Sequence, residues 1–118
     1  MKKFIPVNTP LITKTDAKAV YQSIKSGWIS SEGKNVKKFQ KNFSKYIGKK
    51  YSIAVSSGTA ALELAVKCLN LKKGDEIIIP NFTIISNAIA PIKQNLRIRL
   101  VDCEIFNWNM NLSQIKKI

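Results

Sequence analysis

The chain has 118 residues, and its 45% apolar content with only five Gly and four Pro excludes the disordered and collagen-like classes. A domain of this length buries roughly two-thirds of the surface its unfolded chain exposes, so one hydrophobic core is within reach. The net charge of +13 comes from twenty basic residues, of which only Arg97 and Arg99 are Arg, whereas phosphate and base recognition favour the bidentate guanidinium. Lys is abundant together with Ile and Asn, a combination that reads as compositional bias on solvated faces, and nucleic acid is the less favoured partner.

With no His, and with Cys68 and Cys103 far apart, there is no zinc-ligand set and free thiols are the default. Phe4 to Leu11 is interrupted by Pro6, Asn8 and Pro10 and so lacks the apolar run of a signal peptide, and no segment reaches the ~20 apolar residues of a membrane span. The expectation is a cytoplasmic protein with no membrane partner.

Taken in chain order, residues 4 to 11 read as an extended arm, because each Pro removes a backbone donor and biases its predecessor away from helix. Ala17, Val20, Tyr21 and Ile24 recur at helical spacing, with Thr13 or Thr15 as N-cap and Gly27 as terminator. The loop Gly27 to Gly33 leads to a second amphipathic helix carrying Val36, Phe39, Phe43, Tyr46 and Ile47.

Tyr51 to Val55 reads as a buried strand running into the turn Ser56-Ser57-Gly58-Thr59, and the following helix, apolar on most sides from Ala60 to Leu69, is expected in the interior. A turn at Lys72 to Asp75 opens a second strand through Ile77 to Ile79. Thr83 is placed to cap a helix from about Ile84 that bends or ends near Pro91, and Ile98, Leu100 and Val101 form a third strand. Ser113 reads as the cap of a last helix, Gln114 to Ile118, so short that the carboxyl end resembles a truncation. This alternation predicts an α/β fold with a mainly parallel or mixed sheet and helices on its faces.

The strand, the turn Ser56 to Ala61 and the following helix are suited to an anion, because a helix's first turn presents unpaired N–H groups and a positive dipole. Gly58 allows close approach, and Ser57 and Thr59 add hydroxyl donors. An ordinary capped turn has the same appearance. No GxxxxGK[ST] or GxGxxG is present, which argues against a P-loop nucleotidase and a dinucleotide fold.

Four motifs occur in order: Gly27-Trp28-Ile29-Ser30-Ser31-Glu32-Gly33, Tyr51 to Leu64, Lys73 to Pro80, and Phe82-Thr83-Ile84-Ile85-Ser86. With Val101 to Glu104 and Trp108 to Asn111 they resemble the DegT/StrS-type nucleotide-sugar aminotransferases from about Ile5 onward, especially members that make amino sugars such as perosamine. The resemblance implies the N-terminal part of the large domain of a fold-type-I pyridoxal 5'-phosphate (PLP) enzyme: an arm, two helices and the first βαβαβ portion over residues 1–118. The remainder of that domain and a C-terminal domain lie outside these residues. It implies a homodimer with active sites at the subunit interface, and transfer of an amino group from a glutamate-like donor to a keto-sugar nucleotide in polysaccharide or antibiotic-sugar synthesis.

By the same resemblance Gly58, Thr59 and Ala60 bind the cofactor phosphate, and Ile84 touches the pyridine ring where relatives place an aromatic, with Phe82 close by in sequence; core packing is the alternative role for both Ile84 and Phe82. Trp28, Ile29 and Ser30 form a substrate loop reaching the partner subunit's site, and Asp102 is structural. Lys93 to Arg97 replaces the family's usual Gly-Ala-x-Pro approach to the third strand. The lysine that forms the Schiff base and the aspartate that pairs with the pyridinium nitrogen match no residue here, so no catalytic residue is assigned and the isolated chain is expected to be inactive. A dehydratase relative, a non-catalytic remnant and a basic polyanion-binding module remain open alternatives.

Overall fold

A computed structural model describes residues 4–117, which divide between Ala54 and Val55 into two compact units. The first unit holds two helices, α1 (Lys14–Lys25) and α2 (Lys34–Tyr46). Thr13 closes α1 with a reciprocal cap: its Oγ1 accepts the Asp16 N–H at 3.3 Å, and the Asp16 carboxylate accepts the Thr13 N–H at 2.7 Å. The Thr13 hydroxyl first, and then the Thr13 N–H, each donating to the Asp16 carboxylate at 2.7 Å, hold the Asp16 carboxyl below its ordinary pKa of 3.8. In α2, Phe39 and Phe43 stack with ring centroids 5.7 Å apart on the apolar stripe read from the sequence.

The second unit contains α3 (Gly58–Cys68), β1 (Glu76–Pro80), α4 (Ser86–Ile92), β2 (Arg97–Val101) and the short α5 (Leu112–Ile115). β1 and β2 pair in parallel with Ile77 opposite Ile98 and Ile79 opposite Leu100, and α4 is their crossover. The expected βαβ alternation is therefore present. The approach to β2 is made without the family's usual turn: Asn95 adopts φ 57°, its carbonyl accepts the Gly74 N–H, and the Leu96 N–H donates to Pro91 O. Glu76 and Arg99 pair across the strands at 3.1 Å, and Lys93 on α4's trailing end meets Glu63 of α3 at 2.6 Å. The core is small: Ile79, Ala90, Pro91, Leu96 and Val101 are buried.

Four expectations are corrected. Tyr51–Val55 is irregular backbone rather than a strand, because no ladder partner lies beside it among the described residues, and an unpaired strand cannot satisfy its peptide groups. Helix α3 is not interior: none of its residues is buried, since within this unit α4 covers only one side. Thr83 does not cap α4; its Oγ1 accepts from the Asn87 amide side chain at 2.6 Å, and Ile85 occupies the cap position without a side-chain bond. Asn111, not Ser113, caps α5, its Oδ1 accepting from the N–H groups of Ser113 and Gln114; Ile118 lies outside the described residues. An Asx side chain reaches backbone donors two and three residues on, and so outcompetes the serine inside the turn.

Candidate cofactor-phosphate site

The turn Val55 to Ser57 leads into α3, where Ser57 is extended (φ −161°) and its Oγ accepts the Ala60 N–H at 3.1 Å. The Ala61 N–H is bonded to Ser57 O. The N–H groups of Gly58 and Thr59 donate to no acceptor among the described residues, and both belong to a helix end carrying positive partial charge. A Cβ built on Gly58 would meet nothing within 4 Å, so no other part of the chain crowds this glycine. Two backbone donors, a helix dipole and an uncrowded glycine are what a phosphate group requires, and the residues present fit one. Ala60, by contrast, gives its N–H to the cap, which leaves Gly58 and Thr59 as the free backbone donors of the three residues singled out in the sequence.

Thr59 also has a second partner. Its Oγ1 lies 2.7 Å from Oγ of Ser86, the buried first residue of α4, so the leading ends of α3 and α4 are tied together. Ile84 stands two residues before Ser86, within roughly 7 Å by chain length, and is 67% exposed. The structure thus brings Gly58, Thr59, Ala60 and Ile84 to one end of the α3/α4 pair and leaves the isoleucine free for an apolar contact. Ser86 is the residue that sequence reasoning passed over. It stood within the Phe82 to Ser86 motif, but nothing in the sequence alone paired it with Thr59, twenty-seven positions earlier.

Phe82 is engaged elsewhere, its ring tilted against Trp108 at a centroid distance of 4.9 Å. Asp102 sits in a backbone network: its carbonyl accepts from Asn111 N–H, its N–H donates to Gln114 Oε1, and its carboxylate accepts the Cys103 N–H. Those bonds fit the structural role expected of it.

Trp28, Ile29 and Ser30 belong to the first unit, in an exposed loop after α1. This loop folds tightly on itself, with the Gly33 N–H bonded to Ser30 O at 3.1 Å. A Cβ at Gly33 would lie 3.2 Å from the carbonyl oxygens of both Trp28 and Ser30, so a side chain there would make the loop carbonyls give by a few tenths of an ångström. The indole of Trp28 is 61% exposed and lines a cleft of about 230 Å³ with Glu32, Lys34 and Lys37.

The model of the DegT/DnrJ/EryC1/StrS aminotransferase family matches residues 10–118. The chain belongs to that family. GDP-perosamine synthase of Escherichia coli O157:H7 is 35% identical over 115 residues, covering 98% of this chain and 32% of the relative. The spore coat polysaccharide biosynthesis protein SpsC of Bacillus subtilis is 41% identical over 85 residues, 72% of this chain and 22% of that protein.

Among solved structures, E. coli GDP-4-keto-6-deoxy-D-mannose-3-dehydratase with bound hydrated PLP superposes with a TM-score of 0.86 at 30% identity, over 95% of this chain and 30% of that one. The aminotransferase from Psychrobacter cryohalolentis superposes with a TM-score of 0.79 at 26% identity over 92% and 28%. The chain therefore spans about a third or less of the length of the relatives it matches, and its fold is a portion of the PLP fold-type-I architecture.

Proposed function

We propose that these residues form the part of a PLP-dependent nucleotide-sugar aminotransferase that seats the cofactor phosphate, the complete enzyme moving an amino group from a glutamate-like donor onto a keto-sugar nucleotide. The observation that carries this reading is the uncrowded, donor-lined first turn of α3, tied to α4 by the Thr59–Ser86 bond at 2.7 Å. Gly58 and Thr59 hold the phosphate through their N–H groups. Ser57 fixes the direction of those donors by occupying the Ala60 N–H, and Ser86 fixes the Thr59 hydroxyl. Ile84 closes one side of the ring with aliphatic surface and excludes water there. When bound, PLP supplies the electron sink for amino-group transfer. Trp28, Ile29 and Ser30 serve the substrate end, in a homodimer whose second subunit receives the loop.

Within these 118 residues no lysine is assigned to carrying the cofactor covalently or to shuttling the proton, so the chain by itself binds without turning over. The names of the relatives favour an aminotransferase, and the similarity to a PLP-containing dehydratase keeps that second reaction class in view.

The test is equilibrium dialysis of the chain against PLP with and without inorganic phosphate, together with an assay for 2-oxoglutarate release from glutamate in the presence of a GDP-linked 4-keto-6-deoxy sugar. Binding that phosphate displaces, without 2-oxoglutarate release, is the expected result. PLP binding indifferent to phosphate would remove α3 from the site.

A further inference from the structure

The charge of the molecule is unevenly placed. Residues 1–54 carry twelve Lys against Asp16 and Glu32, a net +10, whereas residues 55–118 carry eight Lys and Arg against five acids, a net +3. In the second unit Glu63 and Glu76 pair with Lys93 and Arg99. Between residues 34 and 50 there are seven lysines and no acid, and none of the seven makes an ion pair among the described residues.

Five of these lysines, Lys34, Lys37, Lys38, Lys41 and Lys45, stand on α2 at positions i, i+3, i+4, i+7 and i+11, and all five are exposed. At 3.6 residues per turn they fall within an arc of roughly 100° and run about 16 Å along the helix. Neighbours in the row are about 5–6 Å apart at Cβ. Val36, Phe39 and Phe43 lie on the opposite side of the same helix. A cleft of about 300 Å³ runs beside the row, lined by Lys37, Lys41 and Lys50, and the Lys50 ammonium sits 5.2 Å from the centre of the Tyr51 ring.

We propose that the lysine face of α2 binds a linear phosphate polymer, a single-stranded nucleic acid or polyphosphate, through sequence-independent charge neutralisation. A single row of point charges matches a chain of phosphates, and Lys rather than Arg gives attraction without base-specific geometry. A lipid surface fits less well. If Phe39 and Phe43 entered a bilayer, the lysines diametrically opposite them would face away from the headgroups rather than flank them. The proposal rests on α2 alone and stands apart from the cofactor-phosphate site.

The experiment is fluorescence anisotropy of a labelled 20-nucleotide single strand titrated with the whole chain, with inorganic polyphosphate as competitor, across a range of KCl. Five neutralised phosphates give a slope of log K against log salt of roughly −3.5, so affinity falls about a hundredfold between 50 and 200 mM. One variant carries Lys→Gln at 34, 37, 38, 41 and 45, and a second, of equal net charge, carries Lys→Gln at 67, 72, 73, 116 and 117. Gln has helix propensity close to Lys, and circular dichroism verifies that α2 persists; if the fivefold variant loses helix, Lys38→Gln/Lys41→Gln replaces it.

The expected result is a flat salt profile and loss of binding in the α2 variant, with the second variant within about twofold of the parent. Displacement of the strand by polyphosphate identifies the phosphate backbone as what is recognised, and resistance to it would overturn recognition by charge alone. Equal loss in both variants, no binding by the parent chain, or binding to phosphatidylserine vesicles in preference to the strand would overturn the proposal.

Discussion

Replacing Gly58 with Asp separates the folding of α3 from its affinity for an anion. Gly58 lies outside the left-handed region, and a Cβ there meets nothing within 4 Å, so the backbone accepts a side chain without strain. A carboxylate in the first turn also interacts favourably with the helix dipole, by about 0.3–1 kcal/mol. The fold should hold or gain slightly. Binding should not, because the new carboxylate shares the space of the phosphate. With a phosphate charge near −2, a separation of about 4.5 Å and a water-like dielectric at this exposed turn, the repulsion is about 1.8 kcal/mol, or roughly a twentyfold loss of affinity. Gly58→Asn supplies nearly the same shape without the charge. Titration of each variant with PLP at low salt, followed by its absorbance, measures the difference, and far-UV circular dichroism reports the helix. If Asp and Asn weaken binding equally, shape and not charge governs the site; if Gly58→Asp binds like the parent, the phosphate does not sit at this helix end.

Ser57→Ala removes the acceptor of the Ala60 N–H and should cost about 1 kcal/mol, seen as faster amide hydrogen exchange in the first turn of α3. The cap on α1 responds to acid. Because hydrogen bonds from Thr13 depress the Asp16 pKa in the folded chain, its contribution is fully present above the ordinary 3.8 and is lost as pH falls through the lower folded value. Helicity of α1 should therefore decline in that acid window, and Asp16→Asn should remove the pH dependence of this step. The 118 residues alone should melt broadly, since Ile79, Ala90, Leu96 and Val101 make up the buried apolar set apart from Pro91 and Leu100 remains 63% exposed on a sheet that needs cover on both faces. A single sharp calorimetric transition would refute that expectation.

Local chemistry made most of the second unit readable from sequence. Ile77 to Ile79 was an apolar run bounded by turn residues, Ile98, Leu100 and Val101 were apolar positions around Arg99, and the two segments became the parallel pair. Periodicity located α1 and α2, with Thr13 or Thr15 as the N-cap of α1, and the structure selects Thr13 through its reciprocal bonds with Asp16. What failed depended on partners distant in sequence. Tyr51–Val55 has strand propensity, but a strand exists only through its neighbours, and α3's apolar surround says nothing about how many elements cover it. The candidate site followed the same division. Ser57, Gly58 and Thr59 were recognisable because a helix start is a local event, and the Thr59–Ser86 bond was not, because its two hydroxyls meet only through packing of α3 on α4.

That packing also accounts for where an anion would sit without appeal to any relative. In a parallel sheet the chain leaves each strand at its carboxyl end and enters the following helix there, so helix N-termini gather at that edge and ligands bind in the crevice they form. Here β1 ends at Pro80, and six residues later Ser86 begins α4. Ser86 holds Thr59, which places α3's free N–H groups at the same edge. The short loop between them, 81–85, carries Ile84 past that edge as an exposed apolar side chain. An anion bound by Gly58 and Thr59 with an apolar ring resting against Ile84 uses both features, the charged one supplied by helix geometry and the apolar one by the loop that geometry requires.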